Sequence, residues 1–363
     1  YEQGCDQVVF LDSDGNVEEL GGMNVVFVRK DGTLVTPESP SILDGITRNS
    51  ILQLARDRGH KVEARPVTLA EWRDGVASGD IVEVTTMLTS NPNRLQQMGL
   101  PADEVQPNLA AIYDEVTDRG PGGHILTGPI HIEGAEPGDV LEVRILSVDY
   151  SIPYGYNGCS GFVPDLCDPD RRSRLIRIDT ENHQAEIAPG ITVETRPFFG
   201  SMGVAPPPDS GRVSSVPPGQ HAGNIDLKEV VAGTRLFIPV WVAGALFEVG
   251  DGHAVQGDGE ANQTGLETSL EGQLQFFVHK NQWIDWPRAE TDTHHILMGF
   301  DPDLEAATEI AIRETVEFLM EQAVQEPASP RPDAPRAARG DAVEICSTPF
   351  GALVCTPANE EER

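Results

Sequence analysis

The sequence predicts a mainly β fold closed by one C-terminal helix and preceded by a small α/β segment. Three observations predict it. From about residue 80 to 300, short alternating runs are punctuated by Gly and Pro at strand spacing. Beyond Asp301 the apolar residues recur with a helical period. Residues 1–79 instead mix strand-like runs with one helix-like run. Residues 326–363 open on the Pro- and Arg-rich "EPASPRPDAPRAARGD" and read as linker and tail.

The elements follow in order. "QVVFLD" and "MNVVFVRKDGTLVTP" read as strands around turns, and "GITRNSILQLARDRGH" as a helix with apolar Ile51, Leu52 and Leu54, stopped by Gly59. After the change of texture near Ser78, Gly79 and Asp80, "GDVLEVRILSVDYSI", "RLIRIDTENHQAEIA" and "EGQLQFFVHKNQW" read as strands. "LFIPVWVAGALFEV" is apolar enough for one buried strand that delivers Asp251 and His253 onto a glycine-rich turn. The closing helix takes Asp301 as N-cap, Pro302 in its first turn, and Ile312, Val316, Leu319 and Ala323 on its inward face.

Composition excludes several function classes. With 58 Asp and Glu against 26 Lys and Arg, a formal charge of −32 leaves no basic face for nucleic acid or an anionic membrane. No apolar run approaches the ~20 residues of a membrane span. The five cysteines (Cys5, Cys159, Cys167, Cys346 and Cys355) form no CxxC pair, so reduced thiols and a cytoplasmic location are expected.

Two short stretches concentrate ligand chemistry. "GDGHAVQGDGE", residues 250–260, holds three carboxylates and one imidazole among four glycines, with no lysine or arginine. Asp251 and His253 stand two apart, and on an extended backbone they point the same way. "HAGNID" adds His221, Asn224 and Asp226 after the turn "VPPGQ". Imidazole and carboxylates on adjoining segments suit zinc or a similar divalent ion, with Glu260 as a spare carboxylate for proton transfer. Spacing leaves a second reading open, since Asp-Gly and Gly-Asp pairs also make solvated hairpin turns. His124, His131, His294 and His295 read as structural histidines. "YGYNGCSGFVPD" offers Tyr154, Tyr156 and Asn157 to a pocket, with Cys159 as a packing residue.

"HILTGPIHIEGAEPGDVLEVRI", "PYGYNG", "HAGNID", "PVWVAGALFEVGDGHAVQGDGE" and "HHILMGFDPDLEAA", in that order, resemble the acetamidase/formamidase family over about residues 80–323. The resemblance implies a β-rich amide-hydrolase domain over residues 80–325, acting on formamide, acetamide or a related short linear amide and releasing ammonia and a carboxylate. It implies a divalent metal, with Zn2+ expected. Its ligand candidates are His221, Asp226, Asp251 and His253, and Glu260 is the acid/base candidate. Ala222 stands where many members have a second glycine. A homo-oligomer is also expected.

The first 79 residues resemble something else. "GCDQVVFLDSDGNVEELGGMNVVFV" and "GITRNSILQLARDRGHKVEARPVTLAEW" look like the C-terminal half of a branched-chain aminotransferase, a class IV pyridoxal-phosphate enzyme. That likeness would place Glu19 under the pyridine nitrogen and Ile46 and Thr47 at the cofactor phosphate. None of the four lysines matches the family's Schiff-base lysine, so these are remnant positions and pyridoxal phosphate is not expected. Two alternatives to the amidase stay open: an inactive chimera, and an aminotransferase remnant.

Overall fold

The computed structural model describes residues 76–325 except 118, 160, 162–163 and 169–172, together with 344–348 and 351–357. Before residue 76 it describes 9–11, 16–20, 26–28, 33–38, 52–53, 55–56 and 58–68. The chain divides into two compact units: Tyr1–Gly75 with Ala110–Arg119, and Val76–Leu109 with Gly120–Arg363.

The first unit carries strands β1 (Val9–Leu11), β2 (Asn16–Leu20), β3 (Phe27–Val28), β4 (Leu34–Pro37), β5 (Val62–Arg65) and β6 (Val67–Thr68). β1, β2 and β6 form one antiparallel sheet, and β3, β4 and β5 another. β4 and β5 run parallel, and helical residues 52–53 and 55–56 lie between them with Leu52 and Ala55 buried. A parallel pair needs such a crossover, so the segment is α/β as expected. Glu19 lies in β2, opposite Phe10. Ile46 and Thr47 lie outside the described residues.

The second unit continues with β7 (Ile81–Thr85), β8 (Leu126–Ile130), β9 (Val140–Tyr150), β10 (Tyr154–Gly158), β11 (Ser173–Asp179) and β12 (Gln184–Ala188). Next come β13 (Ile191–Glu194), β14 (Phe198–Gly203), β15 (Ala222–Asn224), β16 (Arg235–Pro239), β17 (Phe247–His253) and β18 (Glu267–Thr268). The last are β19 (Leu270–His279), β20 (Arg288–Glu290), β21 (His294–Phe300), β22 (Glu344–Thr348) and β23 (Gly351–Pro357). One antiparallel sheet has the order β22-β23-β21-β20-β16-β9-β19-β7. The other runs β13-β12-β11-β10-β18-β17-β14-β15, with β8 paired to β17.

One core joins the two sheets. Leu141, Val143 and Ile145 of β9, Leu236 and Ile238 of β16 and Leu274 and Phe276 of β19 meet Phe199, Met202, Phe247 and Val249 of the second sheet. The Phe247 and Phe276 rings stand edge to face, with centroids 5.0 Å apart. Burying each such ring contributes roughly 2–3 kcal/mol, so the core anchors β17 on its way to the polar centre.

Four expectations are corrected here. The run 236–249 is two strands rather than one: β16 and β17 lie in different sheets and turn about Ala245 and Leu246, both at positive φ. Asp251 and His253 therefore sit inside strand β17, not on a turn. The closing helix, Leu304–Gln325, starts later than expected, because Asp303 Oδ1 accepts the Glu305 and Ala306 N–H groups and is the N-cap.

The third correction concerns the face of that helix. Ala307, Ala311, Glu314, Thr315 and Phe318 are buried, whereas Ile312, Val316 and Leu319 are about half exposed. The reason is a close approach: a Cβ on Gly299 of β21 would meet Ala307 O at 2.5 Å and Ala311 N at 2.6 Å. Only small residues fit there, so the alanine face wins over the bulkier stripe. The tail is also more than a linker, since β22 and β23 extend the sheet beyond β21.

Candidate metal and acid/base centre

β17 carries the centre because it is paired along its whole length. β8 holds its first half, β18 its end and β14 its other edge. In the β17–β18 register His253 faces Glu267, and in the β14–β17 register it faces Phe198. The imidazole stands edge-on to the Phe198 ring, with centroids 5.1 Å apart.

Four carboxylates surround that imidazole. Its Nε2 lies 3.2 Å from Glu267 Oε1 and 3.5 Å from Asp251 Oδ2, and its Nδ1 lies 3.9 Å from Asp226 Oδ1. The ligand atoms of Asp226, His253 and Glu260 lie within 4.8 Å of one another, and so do those of Asp251, His253 and Glu267. All five side chains are buried, none more than 7% exposed. Among the described residues no lysine or arginine pairs with Asp226, Asp251 or Glu267; besides His253, the imidazole nearby is His124, whose Nε2 is 3.7 Å from Asp251 Oδ2.

Uncompensated burial sets the protonation. Burial, reinforced by the Asp251 charge, pushes Asp226 well above the carboxylate range. Glu260 is raised to about 7, by burial first and against the pull of His253. Glu267 rises by burial as well. For His253, burial alone would lower the pKa, but Glu267 and Asp251 outweigh it and raise the imidazole well above its ordinary value. Without a cation, the cluster resolves its charge by holding protons.

The residues fit a divalent cation on three grounds. Asp226 Oδ1, His253 Nδ1, Asn224 Oδ1 and Gln256 Oε1 are buried without a hydrogen-bond partner, and orphaned acceptors are costly. A Cβ built on Gly200 would lie 2.7 Å from Asp226 Oδ1 and 2.9 Å from Asp251 Oδ2, so the two carboxylates converge on the space a side chain would fill. The donor set of one imidazole and several carboxylates suits zinc and its neighbours.

The backbone is strained where function is expected. Asp226 (φ 45°), Asp251 (φ 52°) and Glu260 (φ 39°) all adopt the left-handed region. Such conformations cost about 1–3 kcal/mol each in a non-glycine residue. Ala222 shares the conformation at φ 63° and is fully buried, which gives a physical reason for glycine at that position.

The structure brings together Asp226, Asp251, His253 and Glu260 from the sequence candidates. His221 stands outside both ligand groups; burial lowers its pKa, and its ring lies over Gly219 and Gly223. Sequence reasoning missed Glu267, whose only signal is the cross-strand register with His253. It also passed over His124, which bridges Ser215 Oγ, 2.9 Å from Nδ1, and Asp251.

Two other readings are settled by contacts. The Tyr154 and Tyr156 hydroxyls donate to Glu104 O and Thr89 O, so both are anchors rather than open pocket contacts. Cys159 is neither a packing residue nor a reduced thiol: it forms a disulfide with Cys167. The two meet because β10 and the helical turn Pro164–Leu166 bring their Cα atoms to 5.6 Å, a separation invisible without the loop's path.

The centre is thus a buried group of carboxylates around one imidazole in a β-rich frame, with a donor set that could hold a divalent cation. The acetamidase/formamidase family profile matches residues 119–212 and 209–287, and the class IV amino-transferase profile matches residues 1–77. The larger unit is thus similar to the acetamidase/formamidase family over residues 119–287, and the first 77 residues are similar to class IV aminotransferases.

The relatives divide in the same way. A branched-chain-amino-acid aminotransferase of Mycobacterium tuberculosis is 53% identical over 89 residues, 23% of this chain and 24% of that protein. An acetamidase of Mycolicibacterium smegmatis is 29% identical over 204 residues, 39% of this chain and 50% of that protein. The chain thus spans half or less of the length of these relatives. Among solved structures, a predicted acetamidase/formamidase of Thermoanaerobacter tengcongensis has a TM-score of 0.60 at 26% identity, covering 78% of this chain and 88% of its own. An acetamidase of Bacillus halodurans has a TM-score of 0.60 at 27% identity, covering 77% and 90%. No helix among the described residues is long and apolar enough to cross a membrane.

Proposed function

We propose that the chain is a metal-dependent hydrolase of short linear amides of the formamide and acetamide type. The observation that carries the proposal is the buried cluster of Asp226, Asp251, His253 and Glu267 with Glu260 beside it and, among the described residues, no arginine or lysine pairing its carboxylates. A divalent cation, with zinc the first choice for this donor set, supplies carbonyl polarisation and a water of lowered pKa.

The chain's own residues supply the rest. Asp226, Asp251, His253 and Glu267 would hold the cation, with His221 a further candidate from the flanking loop. Glu260 keeps a proton near neutral pH because its carboxyl is raised to about 7. As water adds to the amide carbon and the C–N bond breaks, the proton held at the Glu260 carboxyl passes to the nitrogen, which leaves as ammonia, and the proton given up by the water returns to Glu260. The burial of all five side chains favours a substrate of a few heavy atoms over a peptide.

The test is ammonia release from formamide and acetamide by protein as purified, after chelation, and after zinc is restored. Turnover lost and then recovered is the expected result. Absence of ammonia from folded, zinc-loaded protein would sink the reading in favour of an inactive chimera.

A further inference from the structure

The loop that carries Glu260 has little regular structure of its own. Residues Asp258–Glu260 form a single helical turn, Glu260 and Gln263 are at positive φ, and the chain re-enters a strand only at Glu267. Its fixation comes from another segment. Asn157 Nδ2 donates to Gly265 O at 2.8 Å and to Thr264 O at 3.3 Å. Gly158 N–H donates to Thr264 Oγ1 at 2.8 Å, and the Thr264 hydroxyl returns a bond to Gly158 O at 3.3 Å. Gly161 N–H donates to Asn262 O at 3.2 Å. Gly265, held through its carbonyl by Asn157, has its N–H near the Glu260 carboxyl, where it works against the upward push of burial.

The donor segment is itself tied down. Cys159 sits between Gly158 and Gly161, the two residues whose N–H groups reach the Glu260 loop, and it is bonded to Cys167 at the end of the turn Pro164–Leu166. β10 ends at Gly158, just before Cys159. Beyond it the disulfide adds a covalent constraint to the Gly161–Asn262 backbone bond.

We infer that Asn157, Thr264 and the Cys159–Cys167 disulfide form a clasp that positions the Glu260 loop, and that reducing the disulfide releases it. The inference rests on the reading of Glu260 as the proton-transferring group. Both cysteines are partly exposed, so a dithiol can reach them. In the exchange the S–S bond breaks, Cys159 and Cys167 each gain a hydrogen, and the dithiol closes to its cyclic disulfide.

The experiment uses the full-length protein purified without reductant. Peptide mapping should recover a Cys159–Cys167 linked peptide, and dithiothreitol should add two thiols to the denatured count. On reduction, and in the Cys159→Ser/Cys167→Ser double variant, amide hydrogen exchange across residues 256–265 should rise about tenfold while β9 and β19 stay protected. Thr264→Val should lower kcat about tenfold with KM within about twofold, as misplacing a proton donor does, and Thr264→Ser should restore it.

Cysteines that all react before reduction, or exchange across 256–265 unchanged by reduction, would overturn the clasp. So would full activity in Thr264→Val. If the double variant does not fold, reduction of the unmodified chain gives the same readout. Wild-type protein that releases no ammonia overturns the amide-hydrolysis reading alone, and the exchange result then decides the clasp by itself.

Discussion

Two acidic clusters of this molecule, one fully buried and one with only Glu314 buried, have opposite solutions to the same problem. In the second, Asp285, Glu314 and Glu317 bring ligand atoms within 4.8 Å of one another, as Asp251, His253 and Glu267 do in the centre. There, however, Arg288 reaches Glu314 at 3.7 Å and Glu321 at 3.3 Å, and lays its guanidinium over the Phe318 ring. The centre has four carboxylates and only imidazoles to face them. The difference teaches that proximity of carboxylates does not define a cation site. The absence of a resident base does, because the protein then depends on something from outside to neutralise the charge.

The comparison can be broken most sharply at Glu260. Glu260→Gln should lower kcat by roughly 10²–10⁴-fold, the usual worth of a positioned proton donor, while zinc binding is kept. Steady-state kinetics and metal content measured on the same sample decide it. Loss of the metal would move Glu260 among the ligands.

The helix cluster should respond in stability instead. Arg288→Met removes the base paired with Glu314 and should cost about 3 kcal/mol, read as a lowered Tm. Adding Glu314→Gln should recover most of it. Neither change should alter zinc affinity, and a large change in it would erase the distinction between the clusters.

The same contrast predicts pH dependence. Glu260 and Glu314 are both raised to about 7, burial being the first cause in each. The folded state therefore holds protons that the unfolded chain has released, and metal-free stability falls as pH rises from about 4.5 to about 7. Glu314→Gln should remove its part of that slope, and added zinc should remove the part belonging to the centre. Thermal melts across that range, with and without zinc, test both.

Smaller effects sharpen the picture. Gly200→Ala places a methyl group against the converging Asp226 and Asp251 oxygens and should weaken zinc binding about 10–100-fold without unfolding the protein. Circular dichroism and metal titration check it. Ala222→Gly relieves a left-handed alanine and should raise stability by about 0.5–1 kcal/mol, with activity unchanged.

Much of the frame was legible because its signals are local. The alternation in residues 140–150, 173–188 and 270–279 reappears as β9, β11, β12 and β19. Asp251 and His253 were legible because two-residue spacing acts within one strand. Glu267 was not, because its place beside His253 is set by the pairing of β17 with β18. The inward face of the closing helix was misjudged for a similar reason: two apolar stripes compete in its sequence, and only the close approach at Gly299 decides between them. The Cys159–Cys167 bond depends on a loop path that a sequence separation of 8 does not reveal.

The outermost strand β7 has one neighbour, β19, and the pair is joined by groups as far apart as Glu83 and Gln273, 190 residues along the chain. At about 5–20 residues per second, the ribosome leaves β7 waiting roughly 10–40 s for its partner. Through that interval its backbone donors and acceptors lie open to any other strand, so yield in a cell will be governed by what shields Ile81–Thr85 during synthesis.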